Sequence, residues 1–208
     1  NQHGHFLMDS ERDNFGYYIK SSDTDKQAPQ SSLTPTSNGY NTGTFGNFTG
    51  LNVDFVAWNF RAAPGFFDVV TWTGVSNAEN RVVNHSLNSI PGFVITKATG
   101  KSSQWYIYHK ELGLDSYMIF TGQDAVSSAG SWNSMTSTTF GFGTNTGLND
   151  RDEDYVAYLF ADTPGLIKCD TYDGNGSTTG PVIDCGFEPA FVMIKCATRS
   201  GTNWMIYD

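Results

Sequence analysis

Asp54-Phe-Val-Ala-Trp-Asn-Phe60 returns further along the chain as Asp154-Tyr-Val-Ala-Tyr-Leu-Phe160, an offset of 100 residues. In the same register, with no gap, Pro64-Gly65 falls on Pro164-Gly165, Thr71-Trp-Thr-Gly74 on Thr171-Tyr-Asp-Gly174, and Val82-Val83 on Val182-Ile183. With two residues of slippage, Pro91-Gly-Phe-Val-Ile-Thr-Lys97 matches Pro189-Ala-Phe-Val-Met-Ile-Lys195, and Trp105-Tyr-Ile-Tyr108 then matches Trp204-Met-Ile-Tyr207. Backwards, Tyr17-Tyr-Ile19 corresponds to Tyr117-Met-Ile119, and His5-Phe-Leu-Met-Asp9 to Trp105-Tyr-Ile-Tyr-His109. Self-similarity of this length marks a folded unit, so the chain is constrained to build one supersecondary arrangement more than once.

The period predicts three segments. Residues 1–74 hold the C-terminal part of a first unit and 75–174 a complete second unit. Residues 175–208 hold the start of a third, or strands that complete the first unit or a neighbouring subunit. Because 204–208 repeats the element at 5–9, the chain reads as a window from a longer repetitive polypeptide. The other reading is a complete chain whose end strands pair with neighbouring subunits.

The units read as all-β. Fifteen Phe, ten Tyr and five Trp beside 22 Gly favour strands joined by tight turns. Residues 93–97, a polar turn around Gly100 and residues 105–108 predict a hairpin, and residues 191–195 and 204–207 predict it again. Alternation places Val156, Tyr158 and Phe160 on one face, with Val56, Trp58 and Phe60 as counterparts, and that face is the expected core. Each Pro-Gly pair then ends a strand. No stretch carries an apolar stripe at helical spacing, so a helix is limited to a single turn. Residues 27–46 and 123–139, rich in Ser, Thr, Gly and Asn, read as long exposed loops or short edge strands.

Charge and cysteine count narrow the function classes. A net charge of -9 with no basic stripe disfavours a phosphate backbone, so no nucleic-acid partner is expected. No apolar run approaches the roughly 18 residues a spanning helix needs, and no membrane partner or secretory leader is read. Cys169, Cys185 and Cys196 are odd in number and lack CxxC spacing, which points to buried small thiols, not to a disulfide framework or a zinc knuckle.

Candidate chemistry is sparse, and no catalytic residue, cofactor or metal site is expected. Asp150-Arg-Asp-Glu-Asp154 offers oxygens to calcium but has only Asn52-Val-Asp54 as its counterpart, so a solvated loop is the reading. Asp173-Gly-Asn-Gly-Ser177 lacks the acid that would complete a calcium loop and reads as a turn. His3, His5, His85 and His109 show no HExxH spacing. Paired carboxylates of a polysaccharide depolymerase would have to come from Asp115, Asp124 or the 150–154 run. Aromatic faces beside amides are also the ingredients of sugar recognition. Trp58, Trp105 and Trp204 sit inside recurring strand patterns and are assigned to packing, which leaves Trp72 and Trp132 as glycan- or receptor-binding candidates.

Phe6-Leu-Met-Asp-Ser-Glu-Arg12 resembles the aromatic hairpin with an Asp-Ser-x-Arg tail found in repeated domains of marine phage tail-fibre and virion proteins. There it follows a Pro-x-Phe-Val-x-Ile-Lys strand, here residues 189–195. Residues 155–160, Pro164-Gly165 and the turn at Tyr172-Asp-Gly-Asn-Gly176 look like the second half of the same domains. The resemblance implies tandem antiparallel β-sandwich units of jelly-roll, concanavalin-like type. It further implies self-association into a homo-oligomeric fibre, trimeric by preference, in contact with other virion proteins, with distal domains at a host-surface glycan. The second unit departs from the pattern, with His109-Lys110 where the first has Asp9-Ser10, which questions a shared role for that aspartate. Three functions follow as expectations: a structural fibre module, a lectin-like receptor-binding domain, and a depolymerase.

Overall fold

The computed structural model describes residues 5–44, 49–76, 81–143 and 147–208. The N-terminal flank carries β1 (Phe6–Leu7), β2 (Tyr17–Lys20), β3 (Ala28–Pro29), β4 (Thr34–Thr36) and β5 (Gly39–Asn41). The middle carries β6 (Phe67–Thr73), β7 (Arg81–Asn84), β8 (Pro91–Ala98), β9 (Trp105–His109) and β10 (Ser116–Ile119). It continues through β11 (Ser127–Ser128), β12 (Trp132–Met135), β13 (Thr139–Phe142) and β14 (Asp154–Ala161). The C-terminal flank adds β15 (Val192–Ile194) and β16 (Met205–Tyr207). Among the described residues the one helical element is a 3-10 turn, Lys110–Leu112, so the all-β reading holds.

A six-stranded antiparallel sheet, ordered β11-β10-β9-β8-β14-β6, forms the centre. A three-stranded sheet, β12-β13-β7, covers one of its faces. Trp132, Phe140 and Phe142 of the small sheet share a single core with Trp72, Val94, Tyr155, Ala157 and Leu159 of the large one. Trp72 lies flat on Tyr155, with ring centroids 5.1 Å apart and planes 7° apart.

β14 is the axis of this arrangement. It pairs with β6 from Asp154↔Thr73 to Phe160↔Phe67 and with β8 from Tyr155↔Ala98 to Phe160↔Phe93. Its run Tyr155-Val-Ala-Tyr-Leu-Phe160 is apolar at every position, the composition of a strand covered on both faces. The expectation that Val156, Tyr158 and Phe160 face a core holds for one face of the strand, and the structure adds a second core on the other, while the counterparts Val56, Trp58 and Phe60 are exposed. The inter-sheet core takes Tyr155, Ala157 and Leu159, and Val156 and Tyr158 are buried on the opposite face.

The strands of the two-sheet unit run from Phe67 to Ala161, so its first edge strand precedes the expected boundary at 74/75 and its last strand ends before 174. The flanks repeat its local pairings. Thr34↔Asn41 reproduces Ser134↔Gly141, and Val192↔Tyr207 reproduces Val94↔Tyr108. The bridge Ala63↔Phe67 recurs as Thr163↔Ile167, where Gly65 and Gly165 both adopt positive φ, which glycine tolerates without a Cβ clash.

The expected tandem sandwich is not repeated in the flanks: residues 54–60, the counterpart of β14, belong to no strand and are exposed. The sequence supplies the reason. Core positions Trp132, Phe142, Leu159 and Ala161 have Ser32, Thr42, Asn59 and Arg61 as counterparts, so the flanks lack an inter-sheet core of the same kind. Replacing Leu159 by Ala is expected to cost about 2–5 kcal/mol in urea unfolding, because it opens a cavity at a fully buried site. Asn59→Ala, at the equivalent exposed position, is expected to stay within about 0.5 kcal/mol of wild type.

Candidate functional site

The second face of the six-stranded sheet is where the flanks meet the middle of the chain. Phe93, Ile95, Trp105, Ile107, Met118, Val156 and Tyr158 line it. Leu7 and Ile19 cover it from the N-terminal flank, and Ile167, Cys169, Met193 and Trp204 from the C-terminal flank. Edge-on aromatic contacts join the layers: Trp204 meets Phe120 at 5.3 Å and Phe93 at 6.5 Å between centroids.

One buried ionic clasp fixes the N-terminal flank. Arg12 Nε donates to Asp9 Oδ2 at 2.7 Å, and its Nη2 donates to the Tyr158 hydroxyl at 3.1 Å and to the Leu7 carbonyl at 3.2 Å. The Tyr158 hydroxyl in turn donates to Asp9 Oδ2 at 2.7 Å, closing a triangle of buried groups. Burial opposes the Arg12 charge, but the oxygens of Tyr158 and Asp9 outweigh it and hold the guanidinium protonated. Burial also raises the Tyr158 phenol well above its ordinary range, so it remains a donor. The middle unit has His109 and Leu112 at the positions aligned with Asp9 and Arg12, and its Lys110, aligned with Ser10, holds Asp162 at 2.5 Å nearer the surface.

Two lysines play matching parts in the hairpins. Lys97 Nζ donates to the carbonyls of Ala98 at 3.0 Å and Thr24 at 3.2 Å and to Ser103 Oγ at 3.2 Å. Its counterpart Lys195 donates to the Thr202 carbonyl at 2.9 Å and the Cys196 carbonyl at 3.3 Å. Burial pulls the Lys97 ammonium down to about 8, against the pull of Asp23, Glu153 and Asp25.

The loop after β2 is stitched to the β8–β9 turn by Gln27 N donating to Thr99 O at 3.0 Å and Ser103 N to Thr24 O at 2.9 Å. The loop after β10 is stitched to the β15–β16 turn in the same way, Val126 N donating to Ala197 O at 2.8 Å and Gly201 N to Gln123 O at 2.8 Å. The same joint thus occurs twice. Each flank makes it with the middle unit, once as the loop partner and once as the hairpin partner.

The residues singled out in the sequence are mostly absorbed by this framework. Trp72 and Trp132 are 5% and 2% exposed within the inter-sheet core, so neither presents a ring face to a sugar, and that expectation is corrected. Trp105 is buried and Trp204 partly buried, but Trp58, assigned to packing, is 44% exposed. In the acidic run, Asp150 pairs with Lys101, Glu153 Oε1 accepts from Gly100 N at 2.8 Å, and Asp154 accepts from the Thr73 hydroxyl at 2.7 Å. That run ties the β8–β9 turn and β6 to the start of β14. Asp115 and Asp124 are exposed on loops.

In the stretch at 173–177, Asn175 Oδ1 accepts from Ser177 N at 3.0 Å, a side-chain-closed turn. Among the described residues no group of three or more His, Cys, Asp or Glu gathers as a metal site. His3 lies outside the described residues, and His5 is exposed. His85 accepts from Leu87 N through Nδ1, and His109 accepts from Glu111 N. Burial pushes the Cys169 thiol up to about 12, whereas Cys185 and Cys196 are only half-buried. No described helix is long and apolar enough to cross a membrane.

Fold and site together define an all-β protein whose central antiparallel sheet is buried on both faces and clasped by its own flanking segments. The chain belongs to the family described as "Domain of unknown function (DUF7483)", whose model matches residues 1–208. No curated protein and no solved structure matches it.

Asp9→Ala strands the Arg12 charge in the interior and is expected to cost about 3–5 kcal/mol in denaturant unfolding. The pair Asp9→Leu with Arg12→Met is expected to cost less than the single change, and an equal or larger loss would contradict the clasp. The Lys97 ammonium loses its proton more readily in the folded chain, at about 8 against 10.5, so the unfolded chain holds more protons in that window. Wild-type stability therefore rises from pH 8 to pH 10.5 relative to Lys97→Met, and a pH-independent difference in urea midpoint would count against it.

Proposed function

We propose that this chain is a structural module of a phage tail fibre or related virion appendage, self-associating as a homo-oligomer, with a trimer as the expected state, in contact with other virion proteins. The observation that carries the reading is where apolar surface remains. Among the described residues, Val82, Ile90 and Leu114 are the only exposed large hydrophobics that lie within the two-sheet unit, and the others lie in the flanks. Leu51, Leu166, Tyr172 and Ile183 are among these, and Val182 is 97% exposed. Apolar side chains concentrated in the connecting segments of a repetitive chain fit contact with further protein. The resemblance of residues 6–12 and 155–176 to repeated virion domains supports the same reading.

The reading is also supported by how the polar groups are used. The Asp9–Arg12–Tyr158 clasp, Lys97 and the 150–154 run all end in ties between segments. In this proposal the chain is not an enzyme, and glycan contact at a host surface would use aromatics other than Trp72 and Trp132. Sedimentation of the purified chain at micromolar concentration is expected to give a multimer, with three chains per particle. A strictly monomeric mass across the concentration range would overturn the self-association, and release of reducing ends from host polysaccharide would overturn the non-enzymatic reading.

A further inference from the structure

The two joints point to closure of the chain on itself. In one joint the N-terminal flank supplies the loop and the middle unit the turn, and in the other the middle unit supplies the loop and the C-terminal flank the turn. Both flanks cover the same face of the central sheet. If the flanks are counted as one body, the contact is reciprocal, each body giving a loop and receiving one, which is the pattern of a two-fold contact. The strand inventory agrees. β1-β2-β3 repeats the order β9-β10-β11, β15-β16 repeats β8-β9, and residues 54–60 repeat β14.

What the flanks keep and what they lose is also informative. On the face that lies against the central sheet, Val156, Tyr158, Phe160 and Ile95 have Val56, Trp58, Phe60 and Met193 as counterparts, all apolar. On the opposite face Tyr155 and Ala157 keep apolar counterparts in Phe55 and Ala57, but Leu159 has Asn59 and Ala161 has Arg61, so that face turns polar at one end. A strand with this distribution fits a sheet covered on one face only, turned toward the middle unit. Among the described residues β15 pairs with β16 on one side, and no strand pairs with it on the side where β8 carries β14. Residues 54–60 already lie beside it. Trp58 meets Phe191 with ring centroids 6.0 Å apart, its indole donates to Asp208 Oδ2 at 3.2 Å, and Phe60 packs edge-on against Phe160 at 5.6 Å.

We propose that residues 54–60 form an antiparallel strand on the free edge of β15 within the same chain. The register is that of β14 on β8, with Phe60 opposite Phe191, Trp58 opposite Met193 and Phe55 opposite Cys196. The N- and C-terminal flanks then make a second sheet, related to the central one by an approximate two-fold axis and packed against its outer face. A strand edge exposed beside its own partner is held near it by the intervening chain, so pairing within one molecule is favoured over pairing between molecules. The diagonal Trp58–Phe191 contact agrees with this register, since neighbours at i and j±2 lie on one face.

The register places a native thiol opposite an exposed position, which makes it testable in the full chain. Phe55→Cys, treated with a mild oxidant and read by non-reducing electrophoresis and peptide mapping, is expected to give a disulfide to Cys196 within one chain. Val56→Cys is the control, because its side chain projects from the other face and stands opposite Lys195. At least a tenfold slower link to Cys196 is expected there. Absence of the Phe55→Cys link, an equal rate from Val56→Cys, or a link joining two chains would each overturn the proposal, the last by moving the pairing to the contact between copies. Hydrogen exchange on the unsubstituted chain gives an independent reading. Amides of 54–60 and 192–194 protected together are expected, and exchange of 54–60 at the rate of open chain would overturn it.

Discussion

The six-stranded sheet is apolar on both faces, and the rest of the structure follows from the need to cover it twice. β14 sits between β6 and β8 with Val156, Ala157 and Leu159 fully buried, so neither side of that strand can face water. Full burial of Val156 and of Leu159 contributes on the order of 1.5–3 kcal/mol each. The three-stranded sheet covers one face through a compact aromatic core. The other face is covered by segments distant in sequence, which must be held in place by something more directional than apolar contact. The Asp9–Arg12–Tyr158 clasp and the paired loop-to-turn joints supply that direction.

The internal duplication explains why the same chain can build both layers without building the same object twice. Local pairings depend on residues a few positions apart, and they form in both copies with matching register, as in Val94↔Tyr108 and Val192↔Tyr207. The inter-sheet core depends on residues far apart, and there the copies diverge. Trp132 and Phe142 fill the core of the middle unit, while Ser32 and Thr42 stand at the equivalent positions of the flank. The flanks keep the apolar face that contacts the middle, and on the other face polar residues stand at four of the positions that carry the sandwich core. An array of identical sandwiches and a body of two unequal layers thus differ by a handful of side chains on one face.

Much of the local structure was legible from the residues. The hairpin around Gly100, its copy near Gly201 and the two Pro-Gly turns all follow from turn chemistry and aromatic-rich runs. Alternation picks out one core face of residues 155–160 and misses the other, because it carries no information in a strand apolar at every position. Trp72 and Trp132 lie in segments with weak patterning, and only the meeting of two sheets reveals that both pack against Phe142 within a core. The clasp was invisible for another reason: Tyr158 lies 146 positions from Arg12, and nothing in either segment's pattern announces the other. Asp9-Ser-Glu-Arg12 stood out only as a resemblance, and its physical meaning is the salt bridge between the first and last of those residues.

The central claim is that the outer face of the six-stranded sheet depends on the flanks. Equilibrium unfolding of residues 63–163 expressed alone, with binding of a hydrophobic dye followed in parallel, tests this most directly. The account predicts a fragment that exposes Phe93, Ile95, Trp105 and Tyr158, binds the dye strongly, and either associates or unfolds at much lower urea than the full chain. A monomeric fragment that binds no dye and unfolds with the midpoint of the full chain would contradict it.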